Sequence, residues 1–64
     1  MDLAEARFRK RITQWRLAKR TKISATKISL IENGYIVPRE EEKERLANAL
    51  ELQPEEIQWP TEKD

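Results

Sequence analysis

The chain has 64 residues, which is enough for one small domain and too short for two. It contains no cysteine and no histidine, which excludes disulfide cross-links and ordinary zinc sites. No apolar run approaches the roughly 20 residues of a membrane-spanning helix, and a single glycine with three prolines argues against a meander of short strands. We therefore expect a small cytoplasmic helical domain that has no cofactor and no membrane partner.

The formal net charge of +1 conceals an uneven distribution of charge. Nine basic residues and no acid lie between Arg7 and Ile31, whereas ten acids and four bases lie from Glu32 onward. A basic half of this kind is typical of a surface that faces a polyanion. A charge run alone is more often an ordinary solvated face, so its meaning depends on the elements that carry it.

The first predicted helix covers residues 2–11, with Asp2 in position to cap it. Arg7 lies on or beside the predicted buried stripe of this helix, which is unusual for a surface charge. Phe8 could belong to the core or to an exposed patch, and we expect it to be partly buried against the C-terminal segment.

Thr13 is the predicted N-cap of the second helix. The free N–H groups of its first turn form a natural phosphate site, with Gln14 beside it. Trp15 and Arg16 point away from the predicted core. An exposed Trp15 would be able to stack on sugar and phosphate, and partial burial against the first helix is the alternative.

A tight corner at residues 21–23 separates the second helix from the third. Such a corner normally needs a residue with positive φ, usually glycine, and Lys22 is the candidate here. A lysine in that conformation costs about 1 kcal/mol more than glycine. Ser24 is the predicted cap of the third helix, residues 24–33, which ends at Gly34.

The third helix has two different faces. Ile28 and Ile31 are expected to face the core. The opposite face carries small side chains and one leucine, with a lysine beside them: Ala25, Thr26, Ser29, Leu30 and Lys27. Hydroxyl and methyl groups suit base edges in the major groove of DNA, which a helix can enter. The alternative is a solvated face with little side-chain bulk.

The rest of the chain is expected to complete the core. Pro38 suits the first turn of a fourth helix, whose acidic start precedes a stripe of leucine and alanine. Pro54 is expected to begin a short fifth helix. The sequence therefore predicts a compact all-α domain of five helices over residues 1–59, followed by a flexible tail over residues 60–64.

Several fragments together resemble the phage repressor/Cro-type helix-turn-helix family, also called Xre-type regulators. They are TQ at 13–14, LA at 17–18, IxxIENG at 28–34, Pro38, LAxAL at 46–50 and PEEI at 54–57. Each fragment is weak alone, but together, at the spacing of the family, they form a strong signal over nearly the whole chain.

The resemblance implies a repressor-like fold and roles for particular residues. It pairs Arg7 with the glutamate of the ENG segment, Glu32, and such a half-buried pair fixes geometry more than it adds stability. It also implies that Gln14 contacts phosphate and orients the first side chain of the third helix. With the residues singled out above, the predicted DNA-binding set is Gln14, Trp15, Arg16, Lys22, Ser24, Ala25, Thr26, Lys27, Ser29, Leu30, Asn33 and Tyr35.

The chain also departs from the family pattern. Glycines common in the family are replaced by Arg11, Lys22 and Glu51. Usually apolar positions early in the fourth helix are charged, so that part of the core looks thin. The glutamine or asparagine side chains that contact adenine in some relatives are absent. Specificity is therefore expected to depend on Lys27, methyl contacts and DNA shape.

The leading functional hypothesis is a sequence-specific, double-stranded DNA-binding transcriptional regulator, such as a repressor, that acts as a homodimer. The dimer surface is expected around Ile57, Trp59 and the end of the fourth helix. The alternative is a protein-interaction module on the same fold, an antitoxin or regulator-inhibitor whose acidic half docks a basic partner such as a toxin or another regulator. An enzyme is not expected, because His, Cys and a glycine-rich loop are all absent.

Overall fold

The computed structural model describes residues 1–62, which form four α-helices and one 3-10 turn. The elements in chain order are α1 Leu3–Arg9, α2 Gln14–Thr21, α3 Ala25–Glu32, α4 Glu40–Ala49 and the 3-10 turn Pro54–Glu56. This described part contains no strand, which confirms the all-α class. An isolated parallel bridge between Asp2 and Gln58 brings the two ends of the domain together, and the Gln58 amide donates to the Met1 carbonyl at 2.7 Å.

Three of the helices begin at the side-chain caps that the sequence predicts. The side-chain oxygens of Asp2, Thr13 and Ser24 accept from the amide three residues further on, at 2.8, 3.1 and 3.0 Å. Each bond satisfies a backbone donor that has no partner within its own helix. Helices this short gain little from propensity alone, so these caps fix where α1, α2 and α3 begin.

A single hydrophobic core joins the elements. Its side chains are each at most 4% exposed and come from every part of the fold: Leu3, Ala6, Leu17, Ile23, Ile28, Ile31, Leu46, Ala47, Leu50 and Ile57. Full burial of a leucine or isoleucine stabilises a fold by about 1.5–3 kcal/mol relative to its exposed state. The core lies where α2 packs against both α3 and α4, so these three helices have a fixed arrangement.

The C-terminal part differs from the five-helix prediction, because residues 1–62 contain four α-helices. Pro54–Glu56 form only a 3-10 turn, since the chain becomes extended at Ile57 (φ −109°, ψ 133°) and buries that side chain in the core. Pro38 also does not begin α4. It precedes Arg39, the N-cap residue, and α4 starts at Glu40.

The predicted partial burial of Phe8 is wrong. The side chain is 68% exposed, and the Arg7 guanidinium carbon lies 4.7 Å from its ring centroid. The reason is helical geometry: Phe8 is rotated about 200° from Ala6, which faces the core, so its ring projects to the opposite side of α1.

The predicted tail is described only in part. Pro60 is half-buried, whereas Thr61 and Glu62 are exposed. Lys63 and Asp64 lie outside the described residues. None of the helices in residues 1–62 is long and apolar enough to cross a membrane.

Each α-helix within residues 1–62 is followed, within two residues, by a residue with left-handed backbone geometry. Gly34 has φ 79° after α3, but the corresponding positions after α1, α2 and α4 hold Arg11 (φ 56°), Lys22 (φ 63°) and Glu51 (φ 59°). These three are the positions at which glycine is common in the resembled family. A Cβ atom disfavours this conformation, so each of the three residues lowers the stability of the fold relative to glycine.

We predict that Lys22→Gly raises the free energy of unfolding by about 1 kcal/mol, because glycine adopts this φ without the steric penalty. Arg11→Gly and Glu51→Gly should have similar effects. Urea unfolding followed by circular dichroism measures the change. The control is Arg20→Gly inside α2, which should lower stability by about 1 kcal/mol. A Lys22→Gly protein no more stable than the wild type would contradict the prediction.

Candidate nucleic-acid interface

The corner between α2 and α3 is fixed from the inside by Thr21. This residue is 4% exposed, and its hydroxyl donates to the Leu17 carbonyl at 2.8 Å while accepting from the Ile23 amide at 3.2 Å. Both hydrogen-bonding capacities of the buried hydroxyl are therefore used. With Ile23 held in the core and Lys22 in the left-handed conformation, α2 and α3 form a helix-turn-helix unit.

The two faces of α3 lie as its sequence suggests. Ile28 and Ile31 are at most 1% exposed and belong to the core. On the other side Thr26 is exposed and Leu30 is 38% exposed, while Ala25 and Ser29 are partly exposed. None of the side chains expected to read DNA is packed inside the domain, so this face is accessible to a partner.

The end of α3 is also accessible. The Asn33 amide nitrogen donates to the Ser29 carbonyl at 2.8 Å, which satisfies a carbonyl at the C-terminal end of the helix. Asn33 itself is exposed, and Tyr35 in the loop that follows is 77% exposed. Both side chains can therefore reach a molecule that lies against α3.

Unpaired positive charge is concentrated on α2 and the turn. Ion pairs within the chain occupy four of the basic residues of the first half: Arg7, Arg9, Lys10 and Lys27. Five others are exposed and form no ion pair within residues 1–62: Arg11, Arg16, Lys19, Arg20 and Lys22. The basic run thus divides into a paired set and a set that is available to an anionic partner.

Trp15 belongs to this accessible region. Its side chain is 71% exposed, and the Lys19 ammonium lies 5.7 Å from its ring centroid. A shallow groove of about 510 Å³ lies between Trp15 and the start of α3, and Lys19 and Lys22 contribute to its walls. The alternative of burial against α1 does not occur, so the indole is accessible to a partner molecule.

Arg7, Glu32 and Gln14 form a part-buried hydrogen-bonded network. The Arg7 Nε and Nη2 atoms donate to the two Glu32 carboxylate oxygens at 2.7 and 3.2 Å, and Nη1 donates to the Ile12 carbonyl at 2.9 Å. Gln14 Nε2 adds a bond to Glu32 Oε1 at 2.8 Å. The network joins α1, the start of α2 and the end of α3.

Gln14 therefore has a different contact from the one that the resemblance implies. Its amide nitrogen lies against the last residue of α3 and not against the first side chain of that helix. The Glu32 side chain is 6% exposed, so its oxygens need donors from the protein. Gln14 supplies one of them, and any contact of Gln14 with phosphate remains a prediction.

Lys27 also lies differently from expectation. Its ammonium is 2.6 Å from Glu42 Oε2, so the side chain is directed toward α4. Glu42 is only 7% exposed, and its carboxylate also accepts a hydrogen bond from the Arg39 amide at 2.8 Å. The hydrogen bond from Lys27 is the main reason why the pKa of Glu42 lies below its usual value, and the bond from the Arg39 amide adds to this effect. Burial acts in the opposite direction but is outweighed. The geometry gives no support to a specificity role for Lys27 through direct contact with DNA.

Sequence reasoning did not find the roles of Glu42 and Arg45. The Arg45 guanidinium donates to the Thr21 carbonyl at the end of α2. A signal existed for Glu42, because it stands four residues before Leu46 on the buried stripe of α4, and a buried carboxylate needs a cationic partner. Arg45 carries no comparable local signal.

The two dimer candidates are not equivalent. Ile57 is 4% exposed and part of the core, so its side chain offers almost no surface for the dimer contact that the sequence suggests. Trp59 is half-buried, and its indole N–H donates to the Pro54 carbonyl at 3.0 Å. Trp59 therefore retains some accessible surface beside the 3-10 turn.

The chain belongs to the helix-turn-helix domain family, since the sequence model of that family matches residues 2–59. The match covers nearly the whole chain and is consistent with the Xre-type family. No curated protein and no solved structure gives a significant match. Family and fold together indicate a DNA-binding regulator, and domains of this family are typically not enzymes.

We predict that Glu42 makes the stability of the domain depend on pH. Its pKa is lower in the folded than in the unfolded state, so its contribution is complete above the unfolded pKa and is lost as pH falls through the folded value. The difference in free energy of unfolding between wild type and Glu42→Gln should be largest near neutral pH and shrink below about pH 4.3.

Urea unfolding at a series of pH values measures this difference. The matched control is Glu44→Gln, which removes an exposed carboxylate from the same helix and should change stability little at any pH. A difference for Glu42→Gln that stays constant from neutral to acid pH would show that the charge of Glu42 does not stabilise the fold.

Proposed function

We propose that this protein is a transcriptional regulator that binds duplex DNA sequence-specifically, with the outer face of α3 in the major groove. The observation that carries the proposal is the accessible face of α3, where Thr26 and Leu30 are exposed and Ser29 is partly exposed. Unpaired cations on α2 and the turn lie on the same helix-turn-helix unit. A partner that is polyanionic and carries polar and methyl groups in a groove fits both features.

Base reading would use small groups. The Thr26 and Ser29 hydroxyls can donate to or accept from base edges, and the methyl groups of Ala25 and Thr26 can contact a thymine methyl. Because this face has no glutamine or arginine for bidentate contacts, part of the specificity would come from sequence-dependent DNA shape.

Phosphate contacts would supply most of the affinity. Arg16, Lys19 and Lys22 are exposed and unpaired within residues 1–62. Each cation that neutralises a phosphate releases condensed counterions, so the logarithm of the affinity falls linearly with the logarithm of the salt concentration. Trp15 would add contact with a sugar next to these phosphates.

A homodimer is part of the proposal. An α3 of eight residues reaches few base pairs, and dimers of helix-turn-helix proteins read two half-sites about 34–36 Å apart. Since Ile57 lies in the core, the contact between copies would use the accessible part of Trp59. Val37, which is 37% exposed, offers further apolar surface in the loop before α4.

The alternative, docking of a basic protein partner on the acidic half, has weaker support. Five of the ten acids of that half already form ion pairs within the chain: Glu32, Glu40, Glu41, Glu42 and Glu51. Such a partner would find half of these acids already paired, and its docking would leave the exposed cations of α2 without a role.

Selection of bound sequences from a randomised duplex pool tests the proposal. We expect a two-fold symmetric motif and a steep loss of affinity with salt. Arg16→Gln should weaken binding to all sequences similarly and reduce the salt slope by about 1. Thr26→Ala should instead relax discrimination at one base position by about 1 kcal/mol, the net contribution of a single hydrogen bond.

The matched control is Arg9→Gln, because the Arg9 charge is already paired with Glu5 on α1, 2.9 Å away. It should leave the motif and the salt slope unchanged. A protein that enriches no motif and shows no salt dependence does not have the proposed function.

A further inference from the structure

Helix α4 contacts the helix-turn-helix unit through two charged side chains, one on each side of the turn. Arg45 donates to the carbonyl of Thr21, the last residue of α2. Glu42 holds the ammonium of Lys27, in the first turn of α3, at 2.6 Å. Because Glu42 and Arg45 are three residues apart, they lie on the same face of α4. We call these two contacts the α4 clamp.

The segment between the two contacts is the one that needs support. Lys22 holds the left-handed conformation without being glycine, which is unfavourable for a residue with a Cβ atom. The α2 carbonyls near Lys22 lack intrahelical partners, and Arg45 satisfies one of them. On the α3 side, the Glu42 side chain is 9% exposed, so its attraction to Lys27 is less screened than a surface ion pair.

On the basis of the proposed reading of DNA by α3, we propose that Lys27 and Glu42 determine specificity by positioning α3, and that Lys27 acts through Glu42 without touching DNA. The clamp fixes the direction of the first turn of α3 relative to α2. Thr26 is the neighbour of Lys27 in the chain, so any movement of Lys27 also moves a proposed base-reading side chain.

The positioning role predicts a loss of selectivity without a loss of general DNA affinity. Phosphate contacts by Arg16 and Lys19 belong to α2 and need no exact placement of α3, whereas base contacts require α3 to lie correctly in the groove. Loosening the clamp should weaken binding to the selected sequence and leave binding to random duplex unchanged.

Four variants isolate the contact between Lys27 and Glu42. Lys27→Met keeps the unbranched, four-atom apolar part of the side chain and removes the ammonium. Glu42→Gln keeps an acceptor for the Arg39 amide and removes the charge. Lys27→Met/Glu42→Gln changes both partners and leaves the net charge unaltered, and Lys27→Met/Glu42→Leu replaces the ion pair by apolar packing. The control is Lys43→Met, which removes an α4 cation that pairs with Glu40 and not with α3.

Affinities for the duplex selected with the wild type and for random duplex are measured at several salt concentrations, on protein shown to be folded by circular dichroism. Each single variant should bind the selected duplex about tenfold more weakly, as expected if roughly a tenth of the molecules hold α3 in the competent orientation. The Met/Gln double variant should bind no more weakly than either single variant, with wild-type affinity for random duplex and a wild-type salt slope.

The apolar pair Lys27→Met/Glu42→Leu should recover most of the affinity, because packing can replace a buried ion pair. This recovery separates positioning from direct contact, since neither new side chain can bind phosphate. It also gives a readout if a single variant fails to fold. Lys43→Met should bind as the wild type does.

Two results would overturn the clamp. A salt slope shallower by about 1 in Lys27→Met, with no recovery in the apolar pair, would mean that Lys27 contacts phosphate. Wild-type affinity and selectivity in folded but less stable variants would mean that the pair serves stability alone. If the wild type itself selects no duplex, the proposed function fails and the clamp has no DNA-reading role. If the wild type binds selectively and every variant is equally selective, only the clamp is refuted.

Discussion

The carboxylate of Glu32 is the group on which the arrangement of this domain depends. It is 6% exposed and receives hydrogen bonds from Arg7 and Gln14. A carboxylate taken out of water is strongly unfavourable unless cationic and polar donors surround it. The three segments that the network joins, namely α1, the first turn of α2 and the end of α3 that carries Glu32, must therefore be assembled together. The network selects one arrangement of helices that apolar packing alone would leave less defined.

The burial of Glu32 also helps to determine which face of α3 points outward. An isolated helix of eight residues is unstable, so α3 depends on its neighbours for both its existence and its direction. Glu32 attaches the C-terminal end of α3 to α1 and α2, and Lys27 attaches the first turn of α3 to α4. Between these two attachments, Ile28 and Ile31 face the core. The small side chains on the other face stay free, beside cations that no acid within residues 1–62 neutralises.

Features set by neighbouring residues could be predicted from the sequence. The caps at Thr13 and Ser24 and the left-handed Lys22 depend on local backbone geometry, which local composition reveals. The burial of Ile57 and the pairing of Lys27 with Glu42 depend on which helices meet in space, and no local pattern contains that information. For Arg7, the helical stripe of α1 predicts a position on or beside the buried face, and the family resemblance implies its partner Glu32. The same reasoning applies to Glu42, whose position before Leu46 marks it as buried, although only the fold identifies its partner.

Comparison of two arginines on α1 tests the central role of the network most directly. Arg7 and Arg9 each pair with a glutamate, but the Arg7 side chain is 10% exposed and the Arg9 side chain 63%. Arg7→Met should lower the free energy of unfolding in urea by about 3–5 kcal/mol, or unfold the domain, because it leaves the Glu32 carboxylate buried without a cation. Arg9→Met should cost less than about 1 kcal/mol. Equal and small losses in the two variants would contradict the central role of Glu32.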